Sequence, residues 1–307
     1  MLYIHLGMPK TGTSLLQRCL SQKALKLGID YPVAYRGKGY AHHELANEFI
    51  NKGLQSPVVR DFLRHLKKHD SRRIVVSSES FSTQLKKIPG LWRACGKRLP
   101  TQLIIVVRRM DRFMESMYLQ STRFGHYNDG IDMFIRTREK WRRQFLENLG
   151  WLKAQCGDSL HIVPLVDNFD VLTYFEVLLD LKQGDLTAER SRLPSTAKYS
   201  AKSQSLLLDL DRIRDEMGVQ LDRAAIIKAI PRGRIQFAND IMRYSVLSCD
   251  NARAIQAEAL ATAQKAGVLE YVEAFGDIKE IAEPYVELGR ALLNDQDLRV
   301  IHNLIPG

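Results

Sequence analysis

The sequence predicts an α/β fold: three layers, with a mostly parallel central sheet of about four or five strands, helices on both faces, and a mainly helical C-terminal portion. Two observations carry this prediction. Four short runs rich in branched apolar residues, LYIHL (2–6), RIVVSS (73–78), QLIIVV (102–107) and LHIVPL (160–165), alternate with helix-like segments. Such near-continuous apolar strands belong to parallel sheets buried on both sides. The first run ends at Gly7 and passes through a short loop into SLLQRCLSQKALKLG (14–28), a helix closed by Gly28.

From about residue 200 the pattern turns helical, with stretches around 201–217, 222–230, 234–247, 251–265 and 278–293. The expected organisation is a single domain over 1–307. Within it, an α/β core (1–185) carries a loop and helical portion (186–307) packed on it. The bridge TAERSRLPSTAKYSAKS (187–203) is polar, basic and poor in large apolar residues, and reads as a long loop.

The chain has 307 residues, 45% of them hydrophobic, enough for a substantial core. Its longest apolar core run, LIIVV (103–107), is far short of the roughly 20 residues a membrane span needs, and no targeting segment precedes the first strand. A cytoplasmic protein without a membrane anchor is expected. Cys19, Cys95, Cys156 and Cys249 show neither a C-x-x-C pair nor zinc-site spacing and read as free thiols in a reducing compartment. The net charge of +10 implies affinity for anions. Charge alone does not choose among a nucleotide, an acidic polysaccharide, nucleic acid and an anionic membrane surface.

The loop GMPKTGTS (7–14) keeps the glycine spacing of a triphosphate P-loop, Gly7 to Gly12. Thr13, however, stands where G-x-x-x-x-G-K-[ST] has its lysine, and Lys10 comes two residues before Gly12. A strand-to-helix turn sets backbone N–H groups and the positive end of the helix dipole against an anion. Gly12 lets the main chain approach a phosphate, Thr13 and Ser14 add hydroxyl donors, and Lys10 meets the group beyond that phosphate from a different direction. Taken alone, the motif also fits a turn with a capping Thr or Ser.

A second segment, IVVRRMDRFMESMYLQ (105–120), runs off a core strand into a helix, with Arg108 at the strand end and Ser116 eight residues later. In a parallel α/β sheet the ligand crevice lies at the carboxyl ends of the strands, so both segments can reach one nucleotide. Arg108 offers a bidentate contact to a phosphate and Ser116 a hydroxyl donor. Arginines also follow strands where no ligand is bound.

Together the two segments resemble those of the sulfotransferases that use 3′-phosphoadenosine 5′-phosphosulfate (PAPS), which have a P-loop-like fold. The chain through about residue 120 looks like the bacterial branch of that family, including Tyr31-Pro32 and AHHEL (41–45). The family's P-K-[ST]-G-T-[ST] loop, which holds the 5′-phosphosulfate, is matched by Pro9, Lys10, Thr11, Gly12, Thr13 and Ser14. Its strand-end arginine and the serine eight residues on, which hold the 3′-phosphate, are matched by Arg108 and Ser116. The resemblance implies sulfuryl transfer to an acceptor, with adenosine 3′,5′-bisphosphate (PAP) as product and no metal. It also accounts for the displaced lysine, because a sulfuryl group on a single phosphate carries less charge than a triphosphate with Mg²⁺. KYSAKS (198–203) is similar to the segment before a late helix in the bacterial relatives, which implies Lys198 and Ser200 as phosphate contacts. One departure stands out: the small-molecule enzymes place a tryptophan after the loop to stack on adenine, whereas Leu15 follows Ser14 here. The adenine contacts therefore do not carry over, and a carbohydrate-type relative is favoured.

Transfer to a hydroxyl needs a base. Glu79, where VVSSESFS leaves the second core strand, is the candidate, in the region where the family's base lies. Helix capping among its flanking serines is the structural alternative. His42 and His43 are the rivals, and adjacent histidines on a helix point about 100° apart, so at most one faces the site. With Tyr118 and Arg123 they are assigned to acceptor binding. His65 and His69, one helical turn apart, have no evident third ligand and read as a solvated basic face. The basic runs 64–73 and 136–145 read mainly as solvated surface too, with a grip on an anionic acceptor as the alternative.

The function expected is a PAPS-dependent sulfotransferase acting on a saccharide, glycoconjugate or polysaccharide, with no nucleic-acid partner. The alternatives are a non-catalytic adenosine-bisphosphate or nucleotide-binding module and an atypical P-loop kinase. The acceptor itself, O- versus N-sulfation and the oligomeric state are not encoded in any motif found.

Overall fold

A computed structural model describes residues 1–68, 73–167, 169–188, 199–218, 222–230, 237, 240–241, 244–276, 285–288 and 292–302. Among the described residues five strands form a wholly parallel sheet in the order β2-β3-β1-β4-β5. The strands are β1 (Leu2–His5), β2 (Ile29–Asp30), β3 (Arg73–Ser77), β4 (Thr101–Val107) and β5 (Leu160–Pro164). Four coincide with the apolar runs of the sequence. The fifth, β2, is a two-residue edge strand too short to leave a periodic signal.

The helices are α1 (Thr13–Lys23), α2 (His43–Lys52), α3 (Pro57–Lys68), α4 (Ile88–Gly96), α5 (Met110–Arg123), α6 (Ile131–Thr137), α7 (Glu139–Cys156), α8 (Val171–Leu178), α9 (Ala201–Leu208), α10 (Leu210–Met217), α11 (Arg223–Ala229), α12 (Cys249–Ala266), α13 (Leu269–Glu273) and α14 (Asp295–His302). Two compact units share them. The first comprises 1–109, 143–194 and 259–276; the second comprises 110–142, 195–258 and 277–307. This interleaving differs from a cut near residue 185, because the chain leaves the first unit directly after β4 and returns before β5.

In the first unit, Leu16, Cys19 and Leu20 of α1 and Val171, Leu172 and Phe175 of α8 pack on one face of the sheet, over Val75 and Ile104. The alternate strand residues Leu2, Ile4, Ile74, Val76, Leu103 and Ile105 are equally inaccessible, so the opposite face is closed as well. Each such side chain contributes about 1.5–3 kcal/mol by leaving water. This closed core makes β1 the rigid support of the loop that follows it.

The second unit is mainly helical, with its own core of Tyr199, Leu206, Leu207, Leu210, Ile213 and Ile226 among others. The helix expected over 201–217 is broken at Asp209 into α9 and α10. The one expected over 234–247 is absent at its described residues, and at 245–246 a long-range carboxylate takes up the chain's donors. Glu115 Oε1 accepts from Ser245 Oγ (2.7 Å) and from Val246 N (2.8 Å), and Ser245 bridges to Tyr285. The helix expected over 278–293 is likewise not found at 285–288, just after Pro284, whose missing N–H and ring break helical patterns. Most of the long loop expected over 187–203, residues 189–198, lies outside the described residues. No described helix is long and apolar enough to cross a membrane.

Candidate functional site

The loop 7–12 leaves β1 at the carboxyl edge of the sheet, between β3 on one side and β4 on the other. Its shape explains its glycines. A Cβ on Gly7 would sit 2.6 Å from Thr13 Cγ2, and one on Gly12 would meet Val171 Cγ1 at 3.0 Å from a backbone already at φ +83°. Both glycines are thus required by the fold of the loop itself. Lys10 is also left-handed, at φ 67°, a conformation costing a non-glycine residue about 1–2 kcal/mol. Left-handed residues within a turn swing successive N–H groups to one side and make an anion-binding concavity.

The hydroxyls of the loop divide in a way the sequence did not reveal. Thr11 Oγ1 donates to Met8 O at 2.7 Å and Thr13 Oγ1 to the same carbonyl at 3.2 Å, both from buried positions. An anion needs donors, and these two protons are spent inside the loop. Thr11 and Thr13 therefore brace the loop and offer an anion only their main-chain N–H groups. Ser14 is exposed, Pro9 and Lys10 are half-buried, and no side chain caps the first turn of α1. The main-chain N–H donors at that helix start form the positive end of the helix dipole.

Two strand ends converge on this loop. From β4, Arg108 Nη1 donates to Lys10 O at 3.2 Å and holds the left-handed lysine by its carbonyl. From the β3 side, the buried Ser82 hydroxyl lies 3.1 Å from Gly7 O and 2.8 Å from Glu79 O, tying the start of the loop to the main chain of the candidate base. Ser78 caps the turn after β3 through Ser80 N, so Glu79 opens the turn and Ser78 is its cap. Burial pushes the Glu79 carboxyl above the usual carboxylate range, and the positive charge of Lys10 opposes that shift. The two residues expected to carry chemistry thus act on each other electrostatically.

The adjacent histidines separate as the helical angle requires. His42 is buried: its Nε2 bonds Pro32 O (3.0 Å) and its Nδ1 accepts from Ser77 N (3.1 Å). With both ring nitrogens taken, it has none to offer an acceptor, and its assignment to acceptor binding is corrected to a structural one. His43 is exposed, with Nδ1 2.8 Å from Ser78 Oγ and 3.3 Å from Ser80 Oγ, on the two serines that flank Glu79. Burial lowers the His42 pKa to about 3. Beneath the loop, His5 is brought to about 3 by the same cause, its Nδ1 2.9 Å from Ser77 Oγ, which also accepts from Gln17 Nε2 at 3.1 Å. A polar residue at the end of an apolar run was the only sequence signal of this buried cluster.

The remaining expected contacts lie in the second unit. Ser116 is half-buried on α5. Tyr118 is buried, its hydroxyl donating to Asp129 O at 3.2 Å and its ring edge-on to Phe134, so it packs the unit and its acceptor role is withdrawn. Arg123 stacks over the Tyr199 ring at 3.7 Å. Ser200 is a buried cap of α9, accepting from Ser203 N at 3.1 Å and donating to Ser203 Oγ at 2.8 Å, which corrects its expected phosphate contact. Lys198 lies outside the described residues, as does His69. His65 is engaged by Asp30 Oδ2 at 2.6 Å. Among the described residues no group of three or more His, Cys, Asp or Glu side chains could hold a metal.

Comparison of the chain with protein-family models, with curated proteins and with solved structures finds no match.

Proposed function

We propose that the chain is a sulfotransferase that moves a sulfuryl group from PAPS to a hydroxyl of a saccharide or glycoconjugate. The observation that carries this reading is the order β3-β1-β4 around the loop, with Glu79 on the β3 flank and Arg108 on the β4 flank. In-line transfer needs an attacking group and a leaving group on opposite sides of the transferred atom. A titratable carboxylate on one flank and a permanent cation on the other suit those two sides. The match of 9–14, Arg108 and Ser116 to the PAPS-dependent pattern supports the same reading.

The loop fits the 5′-phosphosulfate in kind: an uncapped helix start, left-handed turns at Lys10 and Gly12, and a lysine among them. When bound, PAPS supplies an activated sulfuryl group whose leaving group is PAP. The N–H groups of Gly12 to Ser14, with the Lys10 ammonium, stabilise the negative charge that grows on the leaving phosphate. Glu79 takes the proton of the acceptor hydroxyl as the acceptor oxygen bonds to sulfur and the sulfur–phosphate oxygen bond breaks. Burial raises its pKa, which makes it a stronger base than an ordinary carboxylate, and the Lys10 charge opposes that rise. Arg108 fixes the backbone of Lys10 and so the direction from which the ammonium approaches.

The deciding experiment is thermal unfolding with PAP against ATP plus Mg²⁺. Stabilisation by PAP in excess of that by ATP is expected. A preference for ATP points to phosphoryl chemistry and sinks the proposal, and PAP binding without transfer to any sugar tested leaves a binding module.

A further inference from the structure

We infer that Arg123, with the Tyr244 hydroxyl, forms a site for a sulfate or phosphate group in the second unit, one that does not depend on the sulfotransferase reading. Arg123 closes α5, and its guanidinium carbon lies 3.7 Å from the centre of the Tyr199 ring. That ring is a fixed platform. It is buried in the core of the unit, and its hydroxyl donates to Ile227 O at 3.0 Å. A guanidinium stacked on an aromatic face keeps its fork of N–H groups in one orientation.

The charge on this fork is not matched within the protein. Arg123 Nε is sealed from solvent and has no hydrogen-bond partner. Among the described residues no acceptor meets its two Nη groups either and, unlike Nε, they are not sealed. Burial pulls the Arg123 pKa below the ordinary guanidinium value, and the charges that act against this pull belong to the phenols of Tyr199 and Tyr244. Burial pushes both phenols up, so they are neutral at ordinary pH and supply no counter-charge. The two carboxylates that act on Tyr244 are engaged elsewhere: Glu115 by Ser245, Val246 and Arg112, and Asp240 by two main-chain N–H groups. A charge withdrawn from water is costly unless it is paired, so an arriving anion is favoured here.

The end of a helix ordinarily repels an anion, because its carbonyls carry the negative end of the dipole. Here Arg223 takes them. Its Nη1 donates to Thr122 O at 2.9 Å and to Leu207 O at 2.5 Å, and lies 3.5 Å from Arg123 O. Gly125, at φ +71°, makes room for it, since a Cβ there would sit 2.9 Å from Arg223 Nε. One guanidinium thus offsets the carbonyls, and the other can serve an outside anion.

The donors set the class of ligand. Two Nη–H groups match two oxygens side by side. The half-buried Tyr244 acts on Arg123 electrostatically, and its hydroxyl, kept protonated, adds a third donor. Three donors suit a tetrahedral sulfate or phosphate group, free or esterified, whereas a carboxylate has only two oxygens in one plane.

The test follows the Arg123 Nε–H by NMR in ¹⁵N-labelled protein, where its sealed position gives a slowly exchanging signal that Arg123→Lys removes. If that variant does not fold, through-bond connection to the Arg123 main chain assigns the signal. Titration with sodium sulfate and with phenyl phosphate, at an ionic strength held constant with sodium chloride, should move the signal saturably. A response to sulfate alone identifies a free ion as the ligand, and tighter binding of phenyl phosphate identifies an ester; either supports the site. Tyr244→Phe should weaken the response about 10-fold, as loss of one hydrogen bond to a charged group does. Saturating PAP should leave the response in place. A signal that neither anion moves, one that chloride moves equally, or a Tyr244→Phe response equal to that of the wild type overturns the inference. Loss of the response with PAP also overturns it, by making Arg123 part of the nucleotide site.

Discussion

The two flanks of the loop are built from different chemistry. Towards β3 lie groups whose charge depends on pH: Glu79, His43 beside it, and His42 and His5 beneath. Towards β4 lies Arg108, whose guanidinium stays charged at any pH the protein meets. Lys10 joins them, its carbonyl held by Arg108 and its charge felt by Glu79. The contrast teaches that one side can exchange a proton during a reaction while the other can only hold a negative charge in place. Variants on each flank should therefore fail in different ways.

The largest effect belongs to the β3 flank. Glu79→Gln should cut turnover about 10²- to 10⁴-fold, the range for loss of a positioned base, while stabilisation by PAP persists. Radiolabel transfer from PAPS to a panel of mono- and oligosaccharides measures it, and near-normal turnover removes Glu79 as base. In the wild type the rate should fall as pH drops through the raised Glu79 pKa, because the protonated carboxyl cannot accept the acceptor's proton. The Gln variant should lack that acid limb.

Lys10→Met sits between the flanks and should show both signatures. Turnover should drop about 10²- to 10³-fold, as for loss of one transition-state donor. The acid limb should also move to higher pH, since the charge that lowers the Glu79 pKa is gone. An unmoved limb would show that the two side chains do not couple in solution. On the β4 flank, Arg108→Ala should weaken PAP binding by about 10- to 100-fold, the value of one or two hydrogen bonds from a charged donor, with a smaller loss in turnover. A loss confined to turnover would erase the distinction between the flanks.

The sheet was legible because strands buried on both faces must be apolar throughout, and the loop because two glycines and a lysine at fixed spacing between strand and helix leave few conformations. Glu79 and Arg108 could be placed at the carboxyl edge from strand ends alone. Their links to the loop could not, because Ser82 and the Lys10 carbonyl meet them only through the pairing of β1 with β3 and β4. The direction of a hydroxyl is likewise a tertiary matter: Thr11, Thr13 and Ser200 read as donors to a ligand and turn inwards to Met8 O and Ser203. Tyr118 and His42 failed as acceptor contacts for the same reason, since a polar tip on a ring says nothing about which neighbour it finds. At 245–246, within the helix expected over 234–247, the described chain bonds to Glu115, a partner 130 residues away that no local pattern contains.

The smallest effect tests the buried base of the β3 flank through stability. The folded protein holds His5 and His42 neutral, with pKa values of about 3, whereas an unfolded histidine titrates near the ordinary value of about 6.5. Between those values the unfolded chain binds protons that the folded chain refuses. The stability these residues contribute is therefore complete above about pH 6.5 and lost as pH falls towards about 3, at up to about 1.4 kcal/mol per pH unit for each histidine. Urea midpoints at a series of pH values measure the slope. His5→Asn should be less stable at pH 7, because Ser77 loses a ring partner, yet its slope between pH 6 and 4 should be shallower than that of the wild type by up to about 1.4 kcal/mol per unit. Arg108→Ala should change the midpoint without changing the slope, since its charge does not titrate there. Equal slopes in the wild type and His5→Asn would mean that His5 is protonated in the folded protein and that the neutral cluster beneath the loop does not exist.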